Sequence, residues 1–152
     1  MRVWRLCAKH HWKFDGGGAR NAGGRWNSAG YAVVYTSAAI SLAALEFLVH
    51  LGRNRSVKDL VLVSAEIPDG LTMERVDVSA LPSDWRRYPA PDYLQTIGNA
   101  WIDRSVATVL AVPSAVIPQE TNYLLNPAHP DFRRIRIGRP AEFSLDFRLA
   151  AR

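Results

Sequence analysis

Six glycines fall between Gly16 and Gly30, and among them stands Arg25 in the run Gly23-Gly24-Arg25-Trp26-Asn27. Glycine lets backbone approach a ligand closely or take a positive φ. A guanidinium is a fixed cation that forks onto phosphate or carboxylate. Residues 31–37 follow with strand-like character and carry Tyr35, and an apolar helical stretch then carries Glu46. Within residues 38–51 the only polar side chains are Ser41, Glu46 and His50, which predicts a helix buried around most of its circumference. A carboxylate is costly to bury there unless it is paired or hydrogen-bonded. A mobile loop, a cation, an aromatic hydroxyl and a carboxylate are parts for binding an anionic ligand. The same residue types also suit a glycine-rich turn with a surface arginine, and a structural ion pair or rim position at Glu46.

Other polar residues narrow the chemistry. His50, one turn beyond Glu46, suits a hydrogen bond to it or the negative end of the helix dipole. His10 and His11 are adjacent and would point apart in a strand, and His129 lies between Pro127 and Pro130. With Cys7 as the one cysteine, these histidines make no zinc set, and no metal is expected. Ser114 follows Pro113 with nothing nearby to form a Ser-His-Asp triad, so it reads as a hydrogen-bonding group rather than a nucleophile. No Walker or Rossmann spacing is present.

Trp4-Arg5, Gly23-Gly24-Arg25-Trp26-Asn27, Gly30, Val34-Tyr35, Ala44-Leu45-Glu46 and Val49-His50 form one series of matches, continued by Pro113-Ser114 and the run Asn122 to Phe132. Together they resemble a RES domain over nearly the whole chain. That family is named for an arginine, a glutamate and a serine, which fall here on Arg25, Glu46 and Ser114, with a recurrent tyrosine at Tyr35. The resemblance implies an ADP-ribosyltransferase-like fold and the toxin of a bacterial type II toxin–antitoxin pair that destroys NAD⁺. It assigns catalysis to Arg25, Glu46 and Tyr35, and substrate binding to Arg5, Asn27, Ser114 and Asn122. NAD⁺ is then substrate rather than cofactor, with inorganic phosphate as a candidate co-substrate. The implied partner is an Xre-like, DNA-binding antitoxin in a complex larger than one-to-one, its C-terminal segment entering the cleft. A homodimer is allowed, and no direct nucleic-acid or membrane contact is expected.

The expected reaction breaks the bond between nicotinamide and ribose. The ribose carbon becomes oxocarbenium-like, and an anionic carboxylate stabilises that charge as in glycoside hydrolysis. Arg25 would hold a phosphate of NAD⁺, with Arg5 as a second cation or a structural ion. The Tyr35 ring would stack on nicotinamide and its hydroxyl orient the ribose, unless it is simply core. Asn122 and Asn126 suit amide or ribose contacts, or turns closed on their own backbone. Water, phosphate or a protein side chain can each accept the ADP-ribosyl group. In ADP-ribosyltransferases the catalytic glutamate commonly lies late in the chain on a strand, whereas Glu46 is early and helical.

Composition agrees with one globular domain over residues 1–152: 48% hydrophobic, 22% charged, with a formal charge of +5 and a pI near 9.8. Basic balance favours an anionic partner without naming it. Cys7 reads as a buried, inert thiol, which fits a reducing compartment. No signal-peptide pattern opens the chain, and residues 38–51 are too short to span a bilayer, so a cytoplasmic location is expected.

The pattern of elements predicts an α+β fold with a mixed or antiparallel β core and few helices. Strands are expected at residues 2–6, 32–36, 60–67, 71–78, 108–112, 115–117 and 134–138, with an alternating strand through Phe143, Leu145, Phe147 and Leu149. Residues 10–30 read as a long loop. Thr36 or Ser37 is expected to cap a helix over residues 38–51 that stops at Gly52. Pro91 is expected in the first turn of a helix whose Tyr93, Ile97 and Trp101 share a face. Two further classes compete: an RNA-binding or RNA-cleaving protein using Arg133, Arg134, Arg136 and Arg139 as a phosphate-contacting stripe, and a non-enzymatic interaction domain.

Overall fold

A computed structural model describes residues 1–51 and 58–150 of the chain. Its frame is a mixed sheet of β1 (Arg2–Ala8), β2 (Val34–Ser37), β3 (Leu60–Glu66), β4 (Met73–Arg75), β5 (Val109–Pro113), β6 (Thr121–Leu125), β7 (Arg136–Ile137) and β8 (Ala141–Phe143). The strand order is β4-β5-β6-β2-β1-β3-β7, with β8 also pairing with β3. Among the described strands only β4 and β5 run parallel. The helices are α1 (Gly17–Ala22), α2 (Ile40–His50), α3 (Asp92–Arg104) and α4 (Phe147–Ala150). The α+β architecture with a mixed sheet and few helices is thus as expected.

Strand alternation separates two faces. One buries Val3, Cys7, Val34, Val63 and Leu125 with Phe14 and Ile135. On the other, Leu110, Val112 and Leu124 pack with Trp26, Trp85 and the α3 residues Leu94 and Trp101. On that same side Leu6 and Leu60 pack with Ala43 and Phe47 of α2. Pairing between β1 and β2 is registered at one position, Trp4 opposite Ser37, so the sheet is joined there by a narrow seam.

Several expectations are corrected. Residues 10–30 are not one loop: a 3-10 turn occupies Lys9–His11 and α1 follows. Gly16 supplies the left-handed turn into α1 at φ 68, and the Gly17 amide donates to Asp15 Oδ1 at 2.9 Å. His10 and His11 do not point apart, because the 3-10 turn brings their ring centroids to 4.0 Å. Neither Thr36 nor Ser37 caps α2, whose N-cap is Ala39 without a side-chain bond. Thr36 instead donates to the Tyr123 carbonyl and Ser37 to Asn122. The predicted stop at Gly52 lies outside the described residues.

Residues 71–78 hold only the short β4 before a 3-10 turn at Val78–Ala80. Residues 115–117 are a turn organised by Ser114, not a strand. The alternating strand ends at Phe143, and α4 begins where Asp146 Oδ1 accepts from the Arg148 amide. Pro91 is the N-cap of α3 rather than a first-turn residue. Of the expected arginine stripe, Arg133 and Arg134 sit in a 3-10 turn and only Arg136 lies in β7, which removes the single strand face. Among the described residues no helix is long and apolar enough to cross a membrane.

Candidate active site

Glu46 projects from α2 on the sheet face shared by α2 and α3. Its Oε1 accepts from Ser114 Oγ at 2.7 Å and from Asn122 Nδ2 at 2.6 Å. Ser37 Oγ donates to Asn122 Oδ1 at 2.7 Å, which fixes the amide with its NH₂ toward the carboxylate. The sheet register explains the meeting: β6 lies between β2 and β5, so Asn122 is opposite both Ser37 and Val112. Ser114 is fully buried, and its Oγ accepts from the Val116 and Ile117 amides at 3.1 and 3.0 Å. With those acceptor positions filled, its lone pairs are engaged and its one proton goes to Glu46, so the hydroxyl orients the carboxylate rather than acting as a nucleophile. Glu46 itself is half-buried, and its Oε2 takes no hydrogen bond among the described residues.

Arg25 faces this carboxylate from a loop held by the core. The Trp26 ring is buried, and the Asn27 side chain is wholly inaccessible. Asn27 Nδ2 donates to the carbonyls of Ala19, Ser28 and Tyr31 at 3.0 to 3.1 Å, and its Oδ1 accepts from the Tyr35 hydroxyl at 2.7 Å. The same hydroxyl accepts from the Trp26 amide at 3.1 Å. A Cβ on Gly24 would lie 2.6 Å from that hydroxyl, which is why the position is glycine. From α3, Gln95 Nε2 donates to the Gly24 carbonyl, and Asn99 binds both the amide and the hydroxyl of Ser28. Gly98 lets the helix touch the loop directly: a Cβ there would lie 1.7 Å from the Trp26 carbonyl oxygen.

The guanidinium is anchored by backbone. Arg25 Nη1 donates to the carbonyls of Trp85 at 2.7 Å and Arg87 at 3.2 Å, and no carboxylate pairs with it among the described residues. Partial burial lowers its proton affinity, and the negative charge of Glu46 is the leading opposing influence. Arginine's ordinary pKa is so high that the group remains a cation. Burial pushes the Tyr35 phenol well above the usual tyrosine range, against the bond from the Trp26 amide and the charge of Arg25. A neutral hydroxyl with both roles engaged is no general base.

The structure therefore brings Arg25, Tyr35, Glu46, Ser114 and Asn122 to one region, and gives Asn27 and the Tyr35 hydroxyl the task of holding the loop. Arg5 makes no hydrogen bond to any of them. It lies over the Phe14 ring, centroid 6.0 Å away, and its buried Nε has no hydrogen-bond partner among the described residues. With His10, His11 and Lys13 it lines a cavity of about 220 Å³. Another cavity, of about 310 Å³, lies at β3 and β8. Asn126 is a turn residue, its Oδ1 accepting from the Ala128 amide. His50 Nδ1 donates to the Glu46 carbonyl rather than to its carboxylate. Sequence reasoning did not find Ser37, Gln95, Gly98 or Asn99 as site residues. The spacing of the last three on one α3 face was the available signal.

A family model described as the RES domain matches residues 2–146. A Toxin Res from Photorhabdus laumondii is 38% identical over 152 residues, covering 98% of this chain and 97% of that protein. A Prs ADP-ribosylating toxin from a Sphingobium species is 37% identical over 137 residues, covering 89% of this chain and 85% of its own length. In the crystal structure of the M. tuberculosis MbcT–MbcA toxin–antitoxin complex, one chain shares the fold with a TM-score of 0.72 at 15% identity, over 94% of this chain and 84% of that one. From the extent of these matches and the Arg25–Glu46–Ser114 geometry beneath them, the chain belongs to the RES domain family.

Proposed function

We propose that this chain is the toxin of a toxin–antitoxin pair and consumes NAD⁺ by breaking its nicotinamide–ribose bond. The observation that carries the reading is a carboxylate oriented by Ser114 and Asn122, set within electrostatic reach of an arginine that forms no ion pair among the described residues. The C–N bond breaks with its electron pair going to nicotinamide, which leaves neutral, and the ribose carbon takes up positive charge. Glu46 stabilises that charge or binds the ribose hydroxyls. Arg25 holds phosphate without Arg5, which lies over Phe14 on the other face of the sheet. The Tyr35 ring, packed beside the loop and partly exposed, would stack on nicotinamide while its hydroxyl holds Trp26 and Asn27.

Water as acceptor yields ADP-ribose and a proton, and phosphate yields the phosphorolytic product. Transfer to a protein is the second reading, favoured by the ADP-ribosylating activity for which the Sphingobium relative is named. The Xre-like antitoxin remains the proposed partner, supported by the toxin–antitoxin complex of the fold relative. The test incubates purified protein with NAD⁺ in water, with inorganic phosphate, and with cell extract, and resolves the products by chromatography. Release of nicotinamide is expected. Intact NAD⁺ in all three arms would sink the reading.

A further inference from the structure

We infer that Arg86 joins Arg25 to form a two-arginine subsite for a diphosphate at the rim of this site, an inference that rests on the function proposed above. Both guanidiniums are tied across one turn. Arg25 Nη1 reaches the Trp85 and Arg87 carbonyls on either side of Arg86, while Arg86 Nε donates at 3.0 Å to the carbonyl of Ala115, the neighbour of Ser114. The charge of Arg86 is close enough to lower the proton affinity of Arg25.

Like charges are held together here at a cost unless an anion joins them. Neither guanidinium pairs with a carboxylate among the described residues, whereas Arg2, Arg104 and Arg148 pair with Glu66, Glu74 and Asp146. The acid of the same turn, Asp84, accepts instead from the Tyr93 hydroxyl at 3.0 Å. Carbonyl anchors orient a guanidinium without neutralising it. They also leave donors without a partner among the described residues: Nε and Nη2 on Arg25, and Nη1 and Nη2 on Arg86. The turn is a firm mount, because Trp85 at its centre is buried among the α3 residues.

Two forks on one rim match two linked phosphates better than one. A nucleotide with its diphosphate there would have its ribose end toward Ser114 and Glu46. The ligand class is therefore a nucleoside diphosphate moiety, distinguished from free phosphate by their relative affinities.

The test measures binding of ADP, pyrophosphate, orthophosphate and adenosine by calorimetry, alongside NAD⁺ turnover, in the wild type, Arg86→Gln, Arg86→Lys and the remote control Arg139→Gln. Arg86→Gln should weaken ADP and pyrophosphate by about tenfold or more. It should leave adenosine unaffected and raise KM for NAD⁺ by more than it lowers kcat. Arg86→Lys should recover part of the affinity, and Arg139→Gln should match the wild type. ADP binding indifferent to Arg86, or orthophosphate binding as tightly as ADP, would overturn the subsite. Wild-type protein that binds ADP through Arg86 yet leaves NAD⁺ intact would overturn the proposed reaction and keep the subsite.

Discussion

Glu46 and Arg25 are fixed by different means. Glu46 rides on α2 and is aimed by polar side chains, Ser114 and Asn122, with Ser37 behind them. Arg25 rides on a loop whose backbone is gripped by Asn27, Tyr35 and the small-residue face of α3. Side-chain aiming is adjusted by single hydrogen bonds, each a modest contribution. Backbone gripping depends on close packing, which does not yield to extra volume. The carboxylate side of the site should thus lose function before stability, and the cation side should lose both together.

The hardest blow to this contrast is Glu46→Gln. The amide oxygen can still accept from Ser114 and Asn122, so the unfolding free energy should change by less than about 1 kcal/mol. Turnover should fall by about a hundredfold or more, since the charge proposed to face the ribose is gone. Denaturant titration and initial rates on the same preparation check both halves, and a large loss of stability would make Glu46 a structural ion.

Gly98→Ala attacks the other side. Its methyl would stand 1.7 Å from the Trp26 carbonyl oxygen, so α3 or the loop must shift. A loss of about 2 to 3 kcal/mol is expected, with activity falling as Arg25 is displaced. An unchanged denaturation midpoint would show that the loop gives way freely.

Tyr35→Phe strands Asn27 Oδ1 and the Trp26 amide in a buried place, at about 1 to 3 kcal/mol. It also carries a pH signature. The folded-state pKa of Tyr35 is raised, so its share of stability is complete below the unfolded value of 10.0 and declines as pH rises toward the folded value. Wild-type protein should therefore lose up to about 1.4 kcal/mol per pH unit above that point from this group, and the Phe variant should lack that component. Equal slopes in the two proteins would refute the burial of the phenol.

The gentlest probe is Ser37→Ala, which frees the Asn122 amide to turn. Activity should drop by about threefold to tenfold with stability altered by under about 1 kcal/mol. Asn122→Asp, which sets a second carboxylate against Glu46, provides the stronger comparison on the same pair. Full activity in Ser37→Ala would mean that Asn122 needs no orienting.

Legibility in the sequence followed the same division. Arg25, Glu46 and Ser114 stand out because a charge in glycine or apolar surroundings, or a polar group beside proline, is locally odd, whereas Asn122 is marked only by the resemblance to the family. Gln95 and Asn99 do not stand out, for their partners Gly24 and Ser28 lie 71 residues away and only the fold brings them together. The apolar face of α3 was read from Tyr93, Ile97 and Trp101, while the polar and small residues between them carried the grip. Ser37 reads as a cap because hydroxyls before a helix usually are. The strand expected through Leu149 failed at Asp146, whose side chain turns the chain into a helix that alternation alone cannot reveal. α1 was hidden by its own Gly17 and Gly18, poor helix formers in a helix of 6 residues.

The narrow seam at Trp4 and Ser37 has a consequence for how the molecule breathes. Strands β5, β6 and β2 protect one set of amides, and β1 and β3 another, with one registered pair between them. Hydrogen exchange should then resolve two separately opening units rather than one. Ser37 belongs to both the seam and the chain of bonds behind Glu46, so a ligand that tightens that chain would slow exchange on both sides at once. Substrate would act as the suture of the sheet.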